Sequence, residues 1–187
     1  MEDMQELADA YHRNGDHSHA AYLLQKAHDL AVKVLGAQYC IGTDFTPNRV
    51  LSTLAKYYAA SGNTEKWVDT LENRYNLYLA SNAQTAISQA FEDLTVAYET
   101  TGSTQKLEEV LKEQHARLLA KKRIPNKNGH ETDSMLYPLV NAYTRAKKYD
   151  AAAEILKYEL SIILSNYDIW QHKNSMYNPL TLHHKRN

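Results

Sequence analysis

The chain has 187 residues, 43% of them apolar, and sets 21 Lys and Arg against 22 Asp and Glu for a net charge of -1. That length suits one domain burying roughly 70% of its unfolded surface, or a short stack of helix pairs. The charge balance supplies no overall field for nucleic acid or an anionic membrane. A mean hydropathy of -0.60, with no apolar run near the roughly 20 residues of a span, excludes a membrane helix.

Met1 is followed by Glu2, Asp3 and Glu6 with neither a basic start nor an apolar stretch, so no targeting peptide is visible and a cytoplasmic location is the default. An excised fragment would look the same. A single cysteine, Cys40, offers no intramolecular disulfide and no thiolate metal framework. Fourteen tyrosines stand against two phenylalanines. Tyr joins a large apolar area to a polar tip, which suits helix packing beside a wet groove.

Four stretches share one pattern: LADAYHRNGD from Leu7, LAKYYAASGN from Leu54, LTVAYETTGS from Leu94 and LVNAYTRAKKYD from Leu139. Gly15, Gly62, Gly102 and Lys147 mark the register, at intervals of 47, 40 and 45 residues. Eight residues before each mark stands a leucine, Leu7, Leu54, Leu94 or Leu139, and four before it a tyrosine, Tyr11, Tyr58, Tyr98 or Tyr143. Leu and Tyr four apart share one helix face, the stripe expected to be buried.

Five residues past each mark come Ala20, Trp67, Leu107 and Ala152, and nine past it Leu24, Leu71, Leu111 and Leu156. A second helix starting after the turn places these two positions on one face. Each unit therefore reads as an antiparallel helix pair, and the expected units are residues 3–35, 49–80, 87–120 and 134–165. In the fourth, Pro138 points to a helix beginning only at about Leu136.

Long polar connections separate the units, among them the basic stretch KKRIPNKNGHET from Lys121. Beyond Ser165 the helical periodicity fades. A C-terminal tail, 167–187, is expected either to cap the last helix with Trp170, Met176, Tyr177, Leu180 and Leu182, or to be disordered or dock on another molecule. The N-terminus starts directly in the first unit, and so bare an end favours self-association into a homo-oligomer or marks a chain cut from something longer.

The first unit, with Leu7, Ala8, Tyr11, Gly15, Ala20, Leu24 and Ala27, resembles the tetratricopeptide repeat (TPR). Its second helix runs on into AVKVLGAQYC, which looks like the longer kinesin-light-chain-like repeats, and the resemblance spans about residues 3–166. It implies an all-α solenoid of about four antiparallel helix pairs in a right-handed superhelix, over a domain of residues 1–166. Unit two departs from the pattern with Trp67 and Arg74, and unit three with Leu107 and Gln114. Either those units splay or the long side chains fill the extra space.

Such repeats bind extended or helical segments on the concave surface lined by the first helix of each pair. The positions facing away from the Leu and Tyr stripe are Gln5, Asp9, His12 and Arg13 in unit one, and Ser52, Lys56, Ala59 and Ala60 in unit two. They are Glu92, Val96, Glu99 and Thr100 in unit three, and Tyr137, Asn141, Thr144 and Arg145 in unit four. Chaperone-binding relatives grip a carboxylate with Lys and Asn at positions occupied here by Gln5, Asp9, Lys56, Glu92 and Val96, so that clamp is absent.

The sequence holds no nucleophile motif, paired carboxylates or phosphate loop, so no enzyme, catalytic residue or cofactor is expected. His12, His17, His19 and His28 fall within one hairpin but lack the converging three or four ligands of a metal site, so no metal is expected either. The leading reading is a noncatalytic scaffold, adaptor or regulatory module with a protein or peptide partner. LYPLVNAYTRAKKYDAAAEIL also looks like an RNA-binding pentatricopeptide unit, although the irregular intervals and net charge argue against nucleic acid. A self-assembling structural unit is the third reading.

Overall fold

The hydrogen bond that closes each helix hairpin runs to the backbone of the repeat tyrosine. In the computed structural model, which describes residues 2–35, 47–81, 84–121 and 133–176, the amides of Asp16, Asn63, Ser103 and Lys148 donate to the carbonyls of Tyr11, Tyr58, Tyr98 and Tyr143 at 2.9, 3.0, 2.9 and 2.8 Å. This six-to-one bond needs a left-handed residue just before its donor. Gly15, Gly62 and Gly102 supply it at φ of 83°, 72° and 70°, and Lys147 adopts it at 57°. Asp16 and Asn63 then cap the next helix, their Oδ1 atoms accepting the amides of His19 and Lys66 at 3.1 and 3.2 Å.

Among the described residues there are eight helices: α1 (Glu2–Arg13), α2 (His17–Leu35), α3 (Pro47–Ala60), α4 (Thr64–Ser81), α5 (Gln84–Thr101), α6 (Thr104–Ala120), α7 (Leu136–Arg145) and α8 (Tyr149–Met176). The fold is all-α, as expected from the repeat, and the odd-numbered helix of each hairpin carries the Leu and Tyr stripe. Pro47 opens α3 and Pro138 lies in the first turn of α7, both places where a missing amide costs no helical bond. Cys40 and most of the basic connection after Lys121 lie outside the described residues.

The chain forms two compact units, 1–109 and 110–187, divided inside α6. In the first, Ala8, Ala20, Leu24, Ala27 and Ala31 of the opening hairpin pack with Val50, Leu51, Leu54 and Tyr58 of α3. The small side chains let α1 and α2 close on each other. Further along, Phe91 and Leu94 of α5 are buried, and the Tyr75 ring of α4 lies 6.4 Å from that of Phe91. In the second unit Leu111, Leu136, Leu139, Tyr143 and Ile155 form the buried set.

Trp67 packs against the first core. Arg74 is buried, ion-paired with Asp93 of α5 and set 5.7 Å from the centre of the Tyr78 ring. Of the two outcomes open for unit two, the long side chains fill the space.

One expectation is corrected. Leu7 and Tyr11 are exposed, Leu7 by 49%, whereas Leu54, Leu94 and Leu139 are at 1%, 2% and 0%. The stripe is covered by the helix before it, and no described helix precedes α1. Leu156 is likewise 46% exposed on α8, although Leu24, Leu71 and Leu111 at the same register are buried.

The helix also continues to Met176, past the loss of periodicity after Ser165. Fading periodicity reports the lack of a buried face, whereas a helix ends only where something stops it, and no Pro or Gly occurs between Ser165 and Met176. The side chains named for capping lie outside those described.

Leu94→Ala should therefore cost about 3 kcal/mol in urea unfolding, and Leu7→Ala no more than about 0.5 kcal/mol. Lys147→Gly should relieve left-handed strain and raise stability by up to about 1 kcal/mol, visible as a higher urea midpoint with an unchanged slope.

Candidate functional site

What holds the first helices of the hairpins in place is the side chain of the same tyrosine. The Tyr58 hydroxyl reaches back to Oε1 of Gln25 on α2 at 3.4 Å, and the Tyr98 hydroxyl donates to Glu72 on α4 at 2.9 Å. In the second unit the Tyr143 hydroxyl donates to the Leu111 carbonyl of α6 at 3.2 Å and lies 3.2 Å from Nδ1 of His115. Gln25 and Glu72 both stand ten residues past their glycines, and Leu111 nine past its own, so the docking geometry recurs.

A residue four past each of the first three glycines covers the tyrosine ring. Lys66 lies 5.5 Å from the centre of Tyr58 and Lys106 5.9 Å from that of Tyr98. His19 stacks on Tyr11 at 5.5 Å. The hairpins repeat one design of antiparallel helix pair, which resembles the tetratricopeptide repeat.

No family model matches this sequence, and no curated protein matches it. Among solved structures, it is similar to a Podosopora anserina protein provisionally assigned as a kinesin light chain, crystallised for its nearly identical TPR-like repeats, and to a single-substitution variant of it. Each is 20% identical over 86% of this chain and 93% of the other, with a TM-score of 0.32. The repeat character stands on the hairpins themselves.

In the first compact unit, residues 1–109, the face opposite the tyrosine stripe belongs to α1, α3 and α5. Lys56 and Arg13 are exposed there, Val96 is 43% exposed, and Gln5, Ser52, Glu92 and Glu99 are half-buried. Tyr137, Asn141, Thr144 and Arg145 are exposed on α7 in the second unit.

Asp9 and His12 are already engaged within the fold. The Tyr57 hydroxyl donates to Asp9 in a short hydrogen bond, and His12 stacks on the Tyr57 ring at 4.4 Å with 25° between the planes. Nδ1 of His12 meets Nδ1 of His17 at 2.9 Å, one imidazole donating and the other accepting. Tyr57 therefore ties α3 to α1.

That role is not part of the repeat pattern, because the matching positions in the other units are Ala10, Ala97 and Ala142. The Tyr57-Tyr58 doublet was the available sign: neighbours on a helix point about 100° apart, so one of the two rings had to leave the stripe.

The four histidines do not converge. His12 pairs with His17, His19 with Asp16 at 2.7 Å, and His28 sits half-buried on α2, where burial lowers its pKa. Among the described residues no group of three His, Cys, Asp or Glu side chains could hold a metal. A cleft of about 230 Å3, lined by Tyr22, Gln25, Tyr58 and Lys66 among others, opens beside the Tyr58 contact.

Burial first, and then nearby carboxylates, sets the electrostatics of the tyrosine ties. Burial first, then the bond to Asp9, raises the Tyr57 pKa. Burial and Glu72 do the same to Tyr98, and burial with Asp29 nearby raises that of Tyr58. Lys106 also donates to Glu72 at 2.7 Å, and this raises its own pKa.

A phenol with a raised folded-state pKa contributes stability that is fully present below the unfolded value of about 10 and is lost as pH rises past it. Urea midpoints should thus fall as pH climbs above about 10. A Tyr57→Phe, Tyr98→Phe double variant should be about 1–3 kcal/mol less stable at neutral pH and show a shallower alkaline decline.

Proposed function

We propose that this chain is a noncatalytic interaction module that holds a protein or peptide segment on the face of α1, α3 and α5 opposite the tyrosine ties. The observation that carries the reading is the division of labour on α3 and α5. Tyr58 and Tyr98 lock one side of each helix to the helix before it, while Lys56 and Val96, both six residues before a turn glycine, stand exposed on the other. Rigid presentation of side chains lowers the ordering cost of binding.

The face is mixed in charge, with Arg13 and Lys56 toward the chain's start and Glu92 and Glu99 flanking Val96. It suits a segment with an apolar residue between an acidic and a basic one. Exposed Tyr137, Asn141, Thr144 and Arg145 of α7 present a matching face on the second unit. The setting on this reading is cytoplasmic; among the described residues, no helix is long and apolar enough to cross a membrane.

A random peptide display screen against the chain should enrich segments of that pattern. Lys56→Glu should weaken their binding about tenfold in calorimetry, corresponding to about 1.4 kcal/mol, with far-ultraviolet circular dichroism unchanged. Affinity unaltered by Lys56→Glu and by Val96→Asp would place the binding surface elsewhere.

A further inference from the structure

Two apolar surfaces take no part in the face just described, and they are the two halves of one junction. Inside the chain, the stripe of a first helix docks on the second helix of the hairpin before it. Leu54 and Tyr58 of α3 do so on Leu24 and Gln25 of α2, in one buried cluster. Tyr98 of α5 does so on Glu72 of α4, and Tyr143 of α7 on Leu111 of α6.

The residue thirteen past the mark joins the same junctions. Tyr75 meets Phe91 at 6.4 Å, and His115 meets Tyr143 edge-on at 5.7 Å.

On α1 the docking half stands uncovered, with Leu7 and Tyr11 exposed. On α8 the receiving half stands uncovered: Leu156 at nine past the mark, Lys157 at ten and Leu160 at thirteen are all exposed. The exposed charges on the two faces are opposite as well, Asp3 and Glu6 on α1 against Lys157 on α8.

We propose that copies of this chain assemble head to tail, the Leu7 and Tyr11 face of one docking on the Leu156 and Leu160 face of α8 in the next. The occupant of each surface is a second copy because the same chain carries both halves, in the register that closes its three internal junctions. The two patches differ, so the contact is heterologous: growth continues to an open filament or closes into a ring rather than stopping at a dimer. This assembly is independent of the α1, α3 and α5 face.

The test is sedimentation velocity of the full 187-residue chain across a concentration series, beside two variants at exposed sites, Leu7→Glu and Leu156→Glu. The average mass of the unmodified chain should rise with concentration. Each variant alone should be monomeric, with self-affinity at least tenfold weaker and an unchanged helical circular dichroism spectrum.

An equimolar mixture of the two variants should form a heterodimer and grow no further, because one copy keeps its α8 face and the other its α1 face. Should either substitution lower the melting temperature, Tyr11→Lys and Leu160→Lys repeat the experiment. A monomer at every concentration overturns the proposal. So does a Leu7→Glu variant that still dimerises, which would mean α8 pairs with itself, and so does a mixture that stays monomeric. Lys56→Glu should leave the assembly unchanged, which separates this outcome from segment binding.

Discussion

The repeat tyrosine carries two hydrogen bonds in opposite directions, and the rest of the structure depends on that pairing. Its carbonyl accepts the amide that closes its own hairpin, while in the second, third and fourth units its hydroxyl reaches the helix of the hairpin before. One side chain thus couples local turn closure to stacking between neighbours. Phenylalanine would keep the apolar area and lose the polar tip on which the tie depends. A buried hydroxyl must find a partner, so the tie also fixes the register of docking.

The junctions differ in what surrounds that tie. Between α2 and α3 it sits among alanines and leucines, and the helices close on small side chains. Between α4 and α5 the buried Arg74 ion-pairs with the more exposed Asp93, while Glu72 gathers both Tyr98 and Lys106. An ion pair of this kind adds little net stability over apolar packing, but removing one partner leaves a charge stranded. Unit two, which departs from the repeat pattern at Trp67 and Arg74, is therefore held in part by polar contacts that demand specific partners.

The candidate face was legible in part. Lys56, Val96 and Arg13 are exposed where their spacing from the turn placed them, because helical geometry alone decides which side of an amphipathic helix a residue occupies. Asp9 and His12 share that side, yet Tyr57 draws them into a tie between α1 and α3. Nothing in the spacing of Asp9 or His12 announces this, since the partner lies 48 and 45 residues away and has an alanine at the equivalent place in every other unit. Long-range partnership of single residues has no period to reveal it.

The sequence by itself determined the local matters: four hairpins, a glycine free to turn left-handed at three of them, and the two faces of each helix. These follow from side-chain spacing and from backbone preferences that act within a few residues. The tertiary structure decided which of those faces are covered. Leu7 and Leu54 occupy the same register in the same pattern, but Leu54 has α2 before it and Leu7 has no described helix there. Burial belongs to the pair of surfaces that meet, so an identical stripe is core at one end of a repeat and open surface at the other.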